Sequence, residues 1–129
     1  MSTPPSTPSS PSSSHPTTIY RILTQQAWAA AQAQGKFSGS EHDVRDGFIH
    51  FSTATQVAET AAKHYTRMPV LVLLWVNVEP IAHALRWEVS RGGALFPHLY
   101  AELPTHAVAR VARLELDANG VHVLPDALD

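Results

Sequence analysis

The sequence predicts a small α+β domain, a mixed or antiparallel sheet with two helices packed against it. Three observations point there. Short runs of apolar and β-branched residues recur at strand length, at 19–23, 48–52 and 70–76. Two stretches between them carry helix-boundary residues, at 25–34 and from Thr53 to about Tyr65. The chain beyond Leu85 reads mostly as strands and closes on a hairpin signal, Asn119-Gly120.

Taken in order, Ile19-Tyr-Arg-Ile-Leu23 opens the domain as a strand. Thr24 is placed to cap a helix over 25–34, rich in Ala and Gln, and Gly35 stands where a helix end takes a left-handed residue. A polar loop is expected from there to Asp46-Gly47. After the second strand, Thr53 and Gln56 match a capping box, and the helix they open should end near Tyr65. Residues 70–76 are apolar on both faces, the pattern of a central strand covered on both sides. A helical turn at 80–84 leads to a strand at 85–89 and a flexible loop at Arg91-Gly92-Gly93. Over 95–103 the side chains alternate. Leu95, Pro97, Leu99, Ala101 and Leu103 face one way, and Phe96, His98, Tyr100 and Glu102 the other. Pro97 marks an edge or a strand start. A turn at 104–108, a strand at 109–117 and a hairpin arm at 121–124 complete a domain spanning 19–125.

Residues 1–18 are almost entirely Ser, Thr and Pro, with no formal charge and only Met1 as an apolar side chain. Such a segment does not bury enough surface to offset the entropy of ordering, so a solvated, disordered tail is expected. The 129 residues otherwise suit one domain, with an ordinary apolar fraction of 44%. The absence of cysteine excludes disulfides, thiolate zinc sites and cysteine nucleophiles. A net charge of −2 supplies no basic field for nucleic acid. The longest apolar stretch, 69–76, falls far short of the roughly 20 residues that span a bilayer. No nucleic-acid or membrane partner is therefore expected, and the chain reads as a cytoplasmic protein of undefined oligomeric state.

Two groups of residues carry candidate chemistry. His50 and Ser52 share one face of the second strand, just ahead of a helix start where free amides favour an anionic ligand. A bland reading makes Ser52 a cap and His50 a backbone partner. The second group is Trp87, Glu88, the Arg91-Gly92-Gly93 loop, and Phe96, His98, Tyr100 and Glu102. Aromatics offer stacking, while His and Glu offer hydrogen bonding or acid–base work, so these residues look like one wall of a pocket. The plain alternative is a partly solvated sheet face with cross-strand pairs. The eight histidines are scattered and form no HExxH or HxH pattern, so no metal site is signalled. His42 in particular reads as a surface residue. GxGxxG, Walker A and GxSxG sequences are absent as well.

At these residues the chain resembles a widespread family of small proteins known as domain of unknown function 952. The matching elements are Ile19-Tyr-Arg-Ile-Leu-Thr24, Trp28, Asp46-Gly-Phe-Ile-His-Phe-Ser-Thr53, Leu85-Arg-Trp-Glu88, and Arg91-Gly-Gly to Phe96-Pro-His-Leu-Tyr100. A further resemblance is to the ADP-ribosyltransferase superfamily, especially the catalytic half of RNA 2′-phosphotransferases. It lies in the order of Tyr20-Arg-Ile-Leu-Thr24, Gly35, Ile49-His-Phe-Ser52 and Leu99-Tyr-Ala-Glu-Leu-Pro104. That likeness implies a split sheet around a nucleotide cleft, with NAD as cofactor. It also implies that Arg21 or His50 holds ribose or phosphate, that Tyr100 stacks on a base, and that Glu88 or Glu102 orients the attacking hydroxyl.

Three functions follow from these readings: ADP-ribosyl transfer, noncatalytic binding of a small ligand in the same cleft, and a protein-interaction domain. Only the first needs a carboxylate set for chemistry. The candidate catalytic residues are Glu88, His50 and His98. The candidate ligand-binding residues are Arg21, Ser52, Trp87, Arg91, Tyr100 and Glu102.

Overall fold

The computed structural model of the protein describes residues 16–125 and Leu128. Strand β1 (Thr18–Thr24) runs antiparallel to β4 (Leu71–Asn77), which pairs on its other side with β8 (Val108–Leu116). Strand β9 (His122–Val123) follows on β8 to complete a four-stranded sheet. A second, three-stranded sheet has β6 (Leu95–Leu99) between β3 (Ile49–His50) and β5 (Leu85–Val89). The two sheets meet at one bridge, where the amides and carbonyls of Tyr20 and Ser52 exchange hydrogen bonds of 2.8 and 2.9 Å. A short ladder of β2 (Lys36–Phe37) and β7 (Leu103–Pro104) lies apart from both. Among the described residues every ladder is antiparallel, so the mixed alternative is not realised there.

Alternation along β1 and β4 builds the core on both faces of the larger sheet. Ile19, Leu23, Val72, Leu74 and Val76 face one way and pack with Trp28 and Ala31 of helix α1 (Gln25–Gln34). Tyr20, Ile22, Leu71, Leu73 and Trp75 face the other and pack with Val57 and Ala61 of helix α3 (Val57–His64). Strand β4 is buried from Leu71 to Val76, as a central strand covered on both faces should be. Helix α1 is bounded as its sequence dictates. Thr24 Oγ1 accepts from the Ala27 amide at 3.0 Å, and Gly35 closes the helix in the left-handed region at φ 80°. No described helix is long and apolar enough to cross a membrane.

Several expectations need correction. The stretch expected to be a polar loop contains β2 and a third helix, α2 (Glu41–Asp46). The Ser40 side chain caps α2, the Asp43 carboxylate reaches back to the Ser40 amide, and Gly47 ends the helix. The strand expected over 95–103 stops at Leu99, leaving Tyr100, Ala101 and Glu102 exposed. Pro97 sits in the middle strand of its sheet and not on an edge. Its carbonyl accepts from the Phe51 amide at 3.0 Å, but proline has no N–H to return the bond. That missing donor explains why β3 ends at His50. Most of the expected tail lies outside the described residues. Thr18 pairs with Asn77, and the Thr17 carbonyl accepts from the Val78 amide at 2.9 Å.

Candidate functional site

The site begins with a register. His50 on β3 and His98 on β6 are direct cross-strand partners, and Arg86 on β5 lies opposite His98. Period-two geometry puts all of these on one face, together with Glu88 and its partner Phe96. The two imidazole rings lie 5.5 Å apart, edge to face. Phe48 stacks on His98 at 4.1 Å and also approaches His50 and Tyr100, at 4.6 and 5.2 Å.

Each histidine is oriented by a carboxylate. Nδ1 of His98 lies 2.8 Å from Glu88 Oε1, and the same oxygen accepts the Tyr100 hydroxyl at 2.7 Å. These two contacts, the Tyr100 bond first, hold the Glu88 carboxyl below its ordinary value. The Tyr100 hydroxyl is pushed up in turn, because its proton is engaged by Glu88. Nδ1 of His50 lies 2.6 Å from Asp43 Oδ1, and its Nε2 lies 3.0 Å from Asp46 Oδ2.

Asp43 is the hub of this half of the site. It is 2% exposed, and it also accepts from the amides of Ser40 and His50 and from the guanidinium of Arg21 at 2.8 Å. Burial opposes its ionisation. The His50 contact, the Arg21 charge and the two amides outweigh that penalty and hold the carboxyl far below the usual range. Arg21 is itself buried, with its guanidinium 5.2 Å from the Phe37 ring centroid and donating to the carbonyls of Ile22 and His50.

A cavity of about 440 Å³ opens where the two sheets meet, within the range of small-molecule sites. Its lining includes Arg21, Asp43, Asp46, His50, Ser52 and His98, with Tyr20, Phe51, Tyr65 and Phe96 as aromatic walls. Ser52 is buried there, its hydroxyl 2.8 Å from that of Thr60.

The candidates drawn from the sequence therefore divide. His50, His98, Ser52 and Arg21 meet at the cavity, with Glu88 behind His98. Trp87 projects from the opposite face of β5 and packs against the core, as an immediate neighbour of Glu88 must. Tyr100 and Glu102 line a separate hollow of about 350 Å³, and Glu102 is engaged by Ser38 and Lys36. Arg91 lies in a turn with the left-handed Gly92, and its side chain is outside the described set. Sequence reasoning misses Asp43, Asp46 and Phe48 and reads His42 as plain surface, whereas His42, Asp43 and Asp46 line the cavity and Phe48 stacks on His98. The signal for the first three was present in Ser40-x-x-Asp43 followed by Gly47, a capping box and a helix stop.

A model of the family described as protein of unknown function (DUF952) matches residues 22–111. The chain belongs to this family. The DUF952 chain is 54% identical to protein CC0527 from Caulobacter crescentus. The X-ray structure of that protein matches with a TM-score of 0.81, covering 84% of this chain and 95% of that one. Its solution NMR structure matches with a TM-score of 0.74, covering 82% and 91%. No curated protein matches the chain. The DUF952 description names no activity, so function has to be argued from the cavity.

Proposed function

We propose that the cavity between the two sheets binds a small, nucleotide-like ligand, with His98 as its principal polar contact. The observation that carries this reading is the pairing of His50 with His98 on one wall, each ring set by its own carboxylate. Burying the His98 imidazole and the Asp43 carboxylate costs stability unless the arrangement serves a purpose. Glu88 on Nδ1 of His98 leaves Nε2 as the nitrogen for a ligand, to donate, accept or transfer a proton. The aromatic walls suit a flat ring, and the volume suits one nucleotide.

ADP-ribosyl transfer from NAD is the finer reading. It draws on the two sheets meeting at a single bridge and on Arg21, His50 and Ser52 lining the opening. Neither Glu88 nor Glu102 belongs to the cavity lining, however, and the carboxylates that do, Asp43 and Asp46, already engage Arg21 and the histidines. The geometry favours binding, with proton transfer by His98 as the chemistry at hand, over group transfer. Thermal-shift measurements with NAD, ADP-ribose and AMP test it. A ligand at one hundred times its dissociation constant adds about 2.7 kcal/mol of stability, and the shift should vanish in His98→Gln. No shift with any of the three at millimolar concentration would overturn the reading.

A further inference from the structure

We propose that His42, Asp46 and His50 form a divalent transition-metal site, with zinc favoured by the donor set, at the mouth of the cavity. Two imidazoles and a carboxylate are a donor set that zinc takes, and all three residues line the cavity. Their placement follows from local structure. His42 and Asp46 are one turn apart on α2, and Gly47 reverses the chain so that His50 returns beside them.

The distances fit. Asp46 Oδ2 lies 3.3 Å from His42 Nε2 and 3.0 Å from His50 Nε2. With metal–ligand bonds of about 2.0 Å, the ligand atoms of a tetrahedral site are roughly 3.3 Å apart. Two of the three edges are thus already set. All three donor atoms lie within 4.8 Å of one another, and the His42 side chain, 54% exposed, can turn to close the third edge.

Hydrogen bonding at His50 supplies the second argument. Asp43, anchored by Arg21 and Ser40, occupies Nδ1 of the ring at 2.6 Å. Nε2 is thereby aimed at the Asp46 carboxylate, 3.0 Å away, as the ring nitrogen placed to share a cation with it. A carboxylate behind a metal-binding imidazole is the usual outer partner of such a ligand. The Arg45 guanidinium approaches Nδ1 of His42 and would have to move, which is cheap for a side chain 69% exposed. The fourth position would face the cavity, open to a phosphate or carboxylate oxygen of a ligand.

Calorimetric titration of the full chain with zinc chloride alone, and visible spectra with cobalt(II), test the site without any nucleotide. The metal result therefore stands apart from the outcome of the ligand screen. One equivalent should bind, with d–d bands for cobalt bound to nitrogen and oxygen. Affinity should fall at least about tenfold in His42→Ala and in Asp46→Asn, and remain in the remote control His83→Ala. Asp43→Asn should weaken binding by about 10–100-fold through its effect on His50. No stoichiometric binding, or binding unchanged in His42→Ala, would overturn the proposal. Because His42 is exposed, that variant keeps the test open even if changes at Asp43 impair folding.

Discussion

Arg21 carries a full positive charge on the core-facing side of β1, and Asp43, twenty-two residues on, is what makes that tenable. Neither side chain has meaningful solvent contact, at 7% and 2% exposure, so each depends on the other for the solvation it has lost. Asp43→Asn should therefore lower stability by about 3–5 kcal/mol in urea unfolding, with Arg21 left uncompensated. A loss below about 1 kcal/mol would show that the pair is not buried as described. Glu88 differs, being over a third exposed. Its carboxyl is depressed below the ordinary 4.5 by Tyr100 and His98. The folded state thus binds the Glu88 proton less readily than the unfolded chain. The stabilisation from these contacts is fully present above about pH 4.5 and is lost as pH falls through the lower folded value. The Tyr100 ring resonances should follow the Glu88 carboxyl across that acid window in NMR. Tyr100 resonances that stay in place while Glu88 is protonated would show that the two are not bonded.

At the scale of elements, what could be read from the chain was whatever its own neighbours determine. Helix α1 was legible to the residue because Thr24 and Gly35 bound it locally. Replacing Gly35 by Ala tests that reading. A Cβ there meets no heavy atom within 4 Å, so the cost is the left-handed backbone at φ 80° alone, about 1–2 kcal/mol in thermal unfolding. An unchanged stability would remove Gly35 as the stop. Helix α2 was missed because six residues offer too little periodicity, although its cap and stop were both written in the sequence. The early end of β6 was not legible either. Alternation continues to Leu103, but the partner strand β5 starts only at Leu85, so the ladder runs out after the Tyr100 amide meets the Ala84 carbonyl at 2.8 Å, a limit no window of sequence contains.

In the whole molecule, the larger sheet supplies stability and the junction with the smaller one supplies the cavity. The α+β class and the buried central strand were visible as apolar runs. The meeting of His50 with His98, forty-eight residues apart, depends on the register of β3 against β6. Likewise Trp87 looked like a site residue beside Glu88, and Glu102 by its alternation with His98 and Tyr100. Strand pleat and the end of β6 send them elsewhere. The central claim is that these two histidines form one ligand-binding wall. It is tested most directly by long-range proton–nitrogen NMR of the imidazole rings while ADP-ribose is titrated into the full chain. The account predicts that the His50 and His98 ring nitrogens shift together and saturably, while His83, His106 and His122 stay in place. Shifts confined to the remote histidines, or none at His98 at saturating ligand, would contradict it.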